Sequence, residues 1–131
     1  MKITICGSIT FAQNIVNIFQ ELKNLGHQPI LDEKMFLIAA GDFADPTKKE
    51  DDVIKTWYNF IVGSDAVLIC NFNKNGIANY IGGNTLMEIG FAHVNDKKIF
   101  LLNPIPEKLS YADEIKAMAD IILNGDLNKI I

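Results

Sequence analysis

Lys2-Ile3-Thr4-Ile5-Cys6-Gly7-Ser8 is a short apolar run closed by a glycine-serine turn. A run of this length without strict alternation fits a strand buried on both faces of a parallel sheet. The period then changes. Between residues 11 and 25, Ile15, Ile18, Phe19, Leu22 and Leu25 recur at helical spacing, and Gly26 supplies a stop. Residues 28–31 form a second short strand after the turn at Gly26-His27. Strand, glycine turn, helix and strand within thirty residues is the start of a βαβ unit.

The rest of the chain repeats this alternation. Residues 35–40 are an apolar helical turn, broken by Gly41, Asp42, Asp45 and Pro46. Residues 46–63 read as a helix with an acidic start (Glu50, Asp51, Asp52) and an apolar face of Val53, Ile54, Trp57, Phe60 and Ile61. Strands follow at residues 66–70 and 99–102, and a short fifth one at 121–123. Helices are expected at 84–94 and 111–119, a polar loop at 71–83 and a final turn at 126–131. The order predicts an α/β fold: a three-layer, doubly wound parallel sheet of four or five strands, Rossmann/flavodoxin-like, in a single domain over residues 1–131. Ligands of such sheets bind beyond the carboxyl ends of the strands. Attention therefore falls on residues 7–10, 32–33, 71–84 and 103–104.

Of the 131 residues 49% are hydrophobic, enough for a packed core, and the net charge is −4. An acidic balance gives no support to nucleic-acid binding, which needs a basic face. No apolar run approaches the roughly 18 residues of a membrane span, and strand-like sequence begins at Lys2 without a basic leader, so a cytoplasmic protein with no membrane partner is expected. Cys6 and Cys70 lie in apolar runs and read as buried thiols. With two separated histidines, His27 and His93, no metal site and no cofactor is expected.

Two segments can carry chemistry. In Gly7-Ser8-Ile9-Thr10, Gly7 permits a tight turn, and Ser8, Thr10 and the amides of the helix start can hold a phosphate. A plain strand-to-helix turn has the same composition. In Tyr80-Ile81-Gly82-Gly83-Asn84-Thr85-Leu86-Met87-Glu88-Ile89-Gly90-Phe91-Ala92, a glycine pair opens a helix with Asn84 or Thr85 as its cap, and Glu88 falls about one turn inside. Its neighbours Leu86, Met87, Ile89 and Phe91 are apolar, and a carboxylate among them needs a partner or a task. Thr85-Leu86-Met87-Glu88 also matches a capping box. Gly90, costly inside a helix, suggests close packing near Glu88. Asp65 opens the third strand at its amino end. Trp57, Tyr58 and Phe60 read as core and interface.

Gly7-Ser8 after the first strand, Asp65 before the third, and the Thr-x-x-Glu-x-Gly-x-Ala stretch from Thr85 to Ala92 together resemble the nucleoside 2-deoxyribosyltransferase superfamily, including its 2'-deoxynucleoside 5'-phosphate N-hydrolase branch. The resemblance covers roughly residues 1–106. The segment from Ile81 to Glu88 is also similar to the Gly-Gly-x-Gly-Thr-x-x-Glu motif of cytokinin-activating phosphoribohydrolases. It implies cleavage of the N-glycosidic bond of a nucleoside or nucleoside 5'-monophosphate, by hydrolysis or deoxyribosyl transfer, with Glu88 as the nucleophile and Asp65 orienting or protonating. Gly7, Ser8, Thr10, Gly82, Gly83, Asn84 and Thr85 would meet the sugar, base or phosphate. A homodimer or higher homo-oligomer is implied as well, its surface formed by the helix of Trp57, Tyr58 and Phe60 or by residues 102–111. The chain departs from the family at Gly82, where an Asp, or a Ser in the phosphate-preferring branch, usually stands. Two other readings stay open: a non-catalytic nucleotide-binding or sensor domain, and an NAD-glycohydrolase-type effector.

Overall fold

The computed structural model describes residues 1–42 and 53–131. Five strands form one parallel sheet: β1 (Lys2–Cys6), β2 (Gln28–Ile30), β3 (Ala66–Ile69), β4 (Lys98–Leu101) and β5 (Ile121–Ile122). Their spatial order is β2-β1-β3-β4-β5. Ile3 pairs with Ala66 and Cys6 with Ile69, and Ile69 in turn pairs with Leu101. The expected α/β, doubly wound architecture is the one observed, with five strands. Helices are α1 (Ala12–Asn24), α2 (Glu33–Ala39), α3 (Val53–Val62), α4 (Gly83–Val94) and α5 (Ala112–Met118). The acidic helix start expected over residues 46–52 lies outside the described residues.

Strand alternation sorts the core into two layers. Ile3 and Ile5 pack with Ile15, Ile18 and Leu22 of α1 and Met35 of α2. Cys6, Val67 and Ile69 point the other way, toward Ile61 of α3, Ile89 and Ala92 of α4 and Ile115 of α5. The three central strands are nearly continuous apolar runs because both faces are covered. Thr4 on β1 is fully buried, and its hydroxyl is satisfied by the Ser64 hydroxyl at 2.7 Å. The segment at residues 102–111 is not an apolar surface: Leu102 and Ile105 are buried in the core.

The chain runs outward from β1 to β2 and then returns to the other side of β1 as β3. The β1–β3 junction is thus the topological switch point, where a crevice opens beyond the strand ends. Gly7 sits at that junction. A Cβ there would lie 2.9 Å from Ile15 Cδ1, 3.2 Å from Cys70 Cβ and 3.3 Å from the Cys70 carbonyl oxygen. Gly7 is therefore required by the approach of β3 to the β1–α1 turn. Ile15 can rotate away, but the backbone of Cys70 is held to β1 through its N–H on the Cys6 carbonyl at 2.8 Å. Gly7→Ala is expected to cost about 1–3 kcal/mol, as overpacked sites do, read as a lower urea midpoint with unchanged slope.

Candidate active site

The crevice at the switch point is a cavity of about 550 Å³, a size suited to a small organic ligand. Five chain segments meet there. The β1–α1 turn contributes Gly7, Ser8, Ile9 and Phe11. The loop after β3 contributes Lys74 and Tyr80, and α4 contributes Gly82 as its cap, then Gly83, Asn84, Thr85, Met87, Glu88 and Phe91. Trp57 of α3 and Asp32, Lys34 and Met35 at α2 complete the wall.

Helix α4 is capped two residues before Asn84 and three before Thr85, the caps its side chains suggest. Gly82 is the N-cap, in extended backbone (φ −82°, ψ 175°), and no side chain caps the helix. Thr85 is thus the third helical residue and is buried, so it cannot act as the cap of a capping box. Glu88 falls in the second turn rather than the first. Asn84, Glu88 and Phe91 stand at i, i+4 and i+7, one stripe of the helix turned into the cavity.

Glu88 is 9% exposed, and its Oε2 has no hydrogen-bond partner among the described residues. Burial pushes its carboxyl up from 4.5 to about 7, while the thiol of Cys6, its polar neighbour, acts the other way by hydrogen bonding to the carboxylate. The Cys6 thiol is itself driven well above its ordinary range, first by burial and then by the Glu88 charge. The carboxyl among apolar residues is shielded and only partly satisfied, and burial lifts its pKa toward neutrality.

The other anticipated residues divide. Gly7, Ser8, Gly82, Gly83, Asn84 and Thr85 all line the cavity with Glu88. Thr10 does not: it is exposed, and its N–H donates to Ser8 Oγ at 3.2 Å. Asp65 does not either. It stands exposed at the amino end of β3, where its carboxylate accepts the Lys2 N–H at 2.8 Å. That end of the strand is opposite the crevice, so a role beside Glu88 is corrected to a strand-edge clamp. Gly90 is also corrected: a Cβ there would meet nothing within 4 Å, so no packing within the chain requires it. Among the described residues no group of three or more His, Cys, Asp and Glu side chains gathers as metal ligands, and no helix is long and apolar enough to cross a membrane.

Sequence reasoning pointed to the 71–84 loop but gave no role to Lys74 or Tyr80 within it, and it read Trp57 as core and interface. Lys74 and Ile77 exchange backbone hydrogen bonds across Asn75 (φ 54°) and Gly76 (φ 74°). Two consecutive left-handed residues make a type I′ turn. The Asn75-Gly76 pair is the signal that could have found this hairpin, which brings Lys74 back over the strand ends. Its ammonium donates to Ser8 Oγ at 3.2 Å and lies 5.7 Å from the Tyr80 ring centroid. Tyr111 donates its hydroxyl to the Ile81 carbonyl and so ties the segment before α4 to the following layer.

Solved structures share this architecture, among them one enzyme. It is the CMP N-glycosidase BcmB of Clostridium botulinum, with a TM-score of 0.58 and 19% sequence identity, covering 95% of this chain and 90% of that one. At that identity the likeness is one of fold. No family model and no curated protein matches the chain.

The pH dependence of stability follows from Glu88. Its folded-state pKa lies above the unfolded value, so folding favours the protonated form. Stability on this account is full below about 4.5, falls as pH rises and levels off above about 7. Glu88→Gln removes the ionisation. The variant is expected to gain about 3 kcal/mol relative to wild type between pH 4.5 and pH 8, measured by urea unfolding at both values. A constant difference across that range would exclude the shift.

Proposed function

We propose that the chain cleaves the N-glycosidic bond of a nucleoside or nucleoside 5'-monophosphate, with the Glu88 carboxylate as nucleophile. The observation that carries this is a single one. A buried carboxylate with one oxygen unpartnered among the described residues lies in a ligand-sized cavity at the switch point of the sheet. A structural group of that kind would be capped or paired, since an unsatisfied buried acceptor costs about 1–3 kcal/mol. The shared architecture with a CMP N-glycosidase supports the same reading.

In the reaction a Glu88 oxygen attacks the anomeric carbon, forming a C–O ester bond as the C–N bond breaks. The base leaves with that electron pair and takes up a proton from water. A water molecule then attacks the same carbon, the ester bond breaks, and Glu88 is restored as the carboxylate with release of a proton. The products are free base and sugar, or sugar phosphate. A second nucleobase in place of water gives transfer. Apolar walls formed by Trp57, Tyr80, Phe11 and Phe91 suit stacking on a base and keep the nucleophile poorly hydrated.

Only the ionised carboxylate attacks, so kcat/KM is expected to rise with pH through about 7. Chromatography of nucleosides and nucleotides incubated with the protein should show free base. Glu88→Ala should lower the rate on the order of 10³-fold or more. Equal base release by both proteins removes Glu88 as nucleophile. Binding by calorimetry without any turnover replaces the enzyme with a sensor.

A second copy of the chain belongs to this proposal. Val53, Ile54 and Met87, which line the cavity, are 39–50% exposed, as is Tyr58 on the same helix α3 at 38%, and such apolar surface favours association. Sedimentation velocity is expected to show a dimer or larger species; a monomer at working concentration overturns this part.

A further inference from the structure

We propose that Lys74 selects for a phosphorylated substrate: its ammonium, held against Ser8 at the cavity wall, is the counter-charge for the 5'-phosphate monoester of a nucleotide. The inference rests on the N-glycosidase reading for the identity of the site, and it narrows the substrate class within it.

A lysine side chain usually extends into water, and the protein as a whole is acidic. Lys74 is instead half-buried and reaches from the hairpin to the β1–α1 turn, where its Nζ donates to Ser8 Oγ. Among the described residues no carboxylate forms an ion pair with it. Its stem is fixed. The backbone N–H and carbonyl of Lys74 both bond to Ile77, the Tyr80 N–H bonds to the Phe72 carbonyl at 2.9 Å, and Asn73 Oδ1 accepts the Asn79 N–H at 2.9 Å. A hairpin closed at these points holds the ammonium in place before a ligand arrives, which lowers the entropy lost on binding.

The surroundings suit an anion with several acceptor oxygens. Ser8 supplies a hydroxyl. The α4 start supplies backbone amides that no side chain caps, because Gly82 has none to offer. Distance along the helix fits as well. Glu88 stands five residues beyond Gly83, roughly 7–8 Å of helix axis, on the scale of the reach from the anomeric carbon of a pentose to its 5'-phosphorus. A nucleotide can therefore present its sugar carbon to Glu88 while its phosphate meets Lys74 and the helix start. Asp32 lines the same cavity and would oppose an anion brought near it, but its carboxylate already accepts the Lys34 N–H at 3.0 Å.

Binding tests this apart from turnover. In the full chain carrying Glu88→Gln, calorimetry is run with the ribo- and 2'-deoxyribonucleoside 5'-monophosphates, the matching nucleosides and inorganic phosphate. The tightest nucleotide is expected to exceed its nucleoside by about tenfold or more, a charge-assisted contact. Adding Lys74→Met should bring the nucleotide down to the affinity of the nucleoside and leave the nucleoside within about twofold. Lys74→Arg should keep most of the difference. Equal affinity of nucleotide and nucleoside, no nucleotide binding at all, or equal losses for both ligands in Lys74→Met would each overturn the proposal. Phosphate alone binding as tightly as the nucleotide would reassign the site to a free anion and overturn it too. If Lys74-dependent discrimination holds while wild type releases no base, the catalytic reading fails and this one stands.

Discussion

The carboxylate of Glu88 has to be accommodated where most of its water has been removed. The sheet lies behind it, α3 packs against its own helix α4, and among the described residues one of its oxygens has no partner. Burial favours the protonated form, the Cys6 thiol favours the charged one, and the balance falls near neutrality. Much of the surrounding architecture follows from keeping that group in place. The uncapped glycine start of α4, the clamp of Tyr111 on the Ile81 carbonyl and the parallel pairing that sets Cys6 beneath the helix all fix where the carboxylate stands. A buried acceptor without a partner is a cost to folding. The proposed nucleophilic role would supply the missing partner, a reacting carbon.

The site depends on the crossing of the chain at β1 and β3. Because β1 feeds outward to β2 and β3 returns on its other side, the two loops leaving these strands diverge and open a crevice. Gly7 allows those loops to start in contact, with no room for a side chain between Ile15 and Cys70. The crevice is then lined from both sides. Ser8 comes from the β1 loop, Lys74 and Tyr80 come from the β3 loop, and α4 forms the floor. Charge is distributed unevenly across it, with an ammonium and free helix amides near the rim and a carboxyl of shifted pKa deeper in.

Asp65 shows how position along a strand separates a satisfied carboxylate from an unsatisfied one. Both Asp65 and Glu88 are acidic residues next to core elements. Asp65 stands at the amino end of β3, exposed and satisfied by the Lys2 amide. Glu88 stands past the carboxyl ends of the strands, buried and unsatisfied. The side of the sheet decides which group can meet a ligand.

Periodicity alone determined the layers. The runs at β1, β3 and β4 are apolar because both faces are covered, and the helical stripe of Ile15, Ile18 and Leu22 lies in the core where its spacing puts it. Glu88 was legible too, since a carboxylate among Leu86, Met87, Ile89 and Phe91 is anomalous on any α/β helix. Local signals could not decide what depends on contacts between distant segments. The Thr85-to-Glu88 spacing fits a capping box equally well until the helix is seen to begin at Gly82 and Gly83. Lys74 reads as loop polarity until the Asn75-Gly76 turn folds it back onto Ser8, 66 residues away in the chain. Trp57 reads as core until α3 is seen to flank the cavity. Side-chain periodicity encodes burial, a property of one element against the rest. A site is a meeting of several elements, and their relative placement is set by strand pairing and crossover, which the tertiary structure alone supplies.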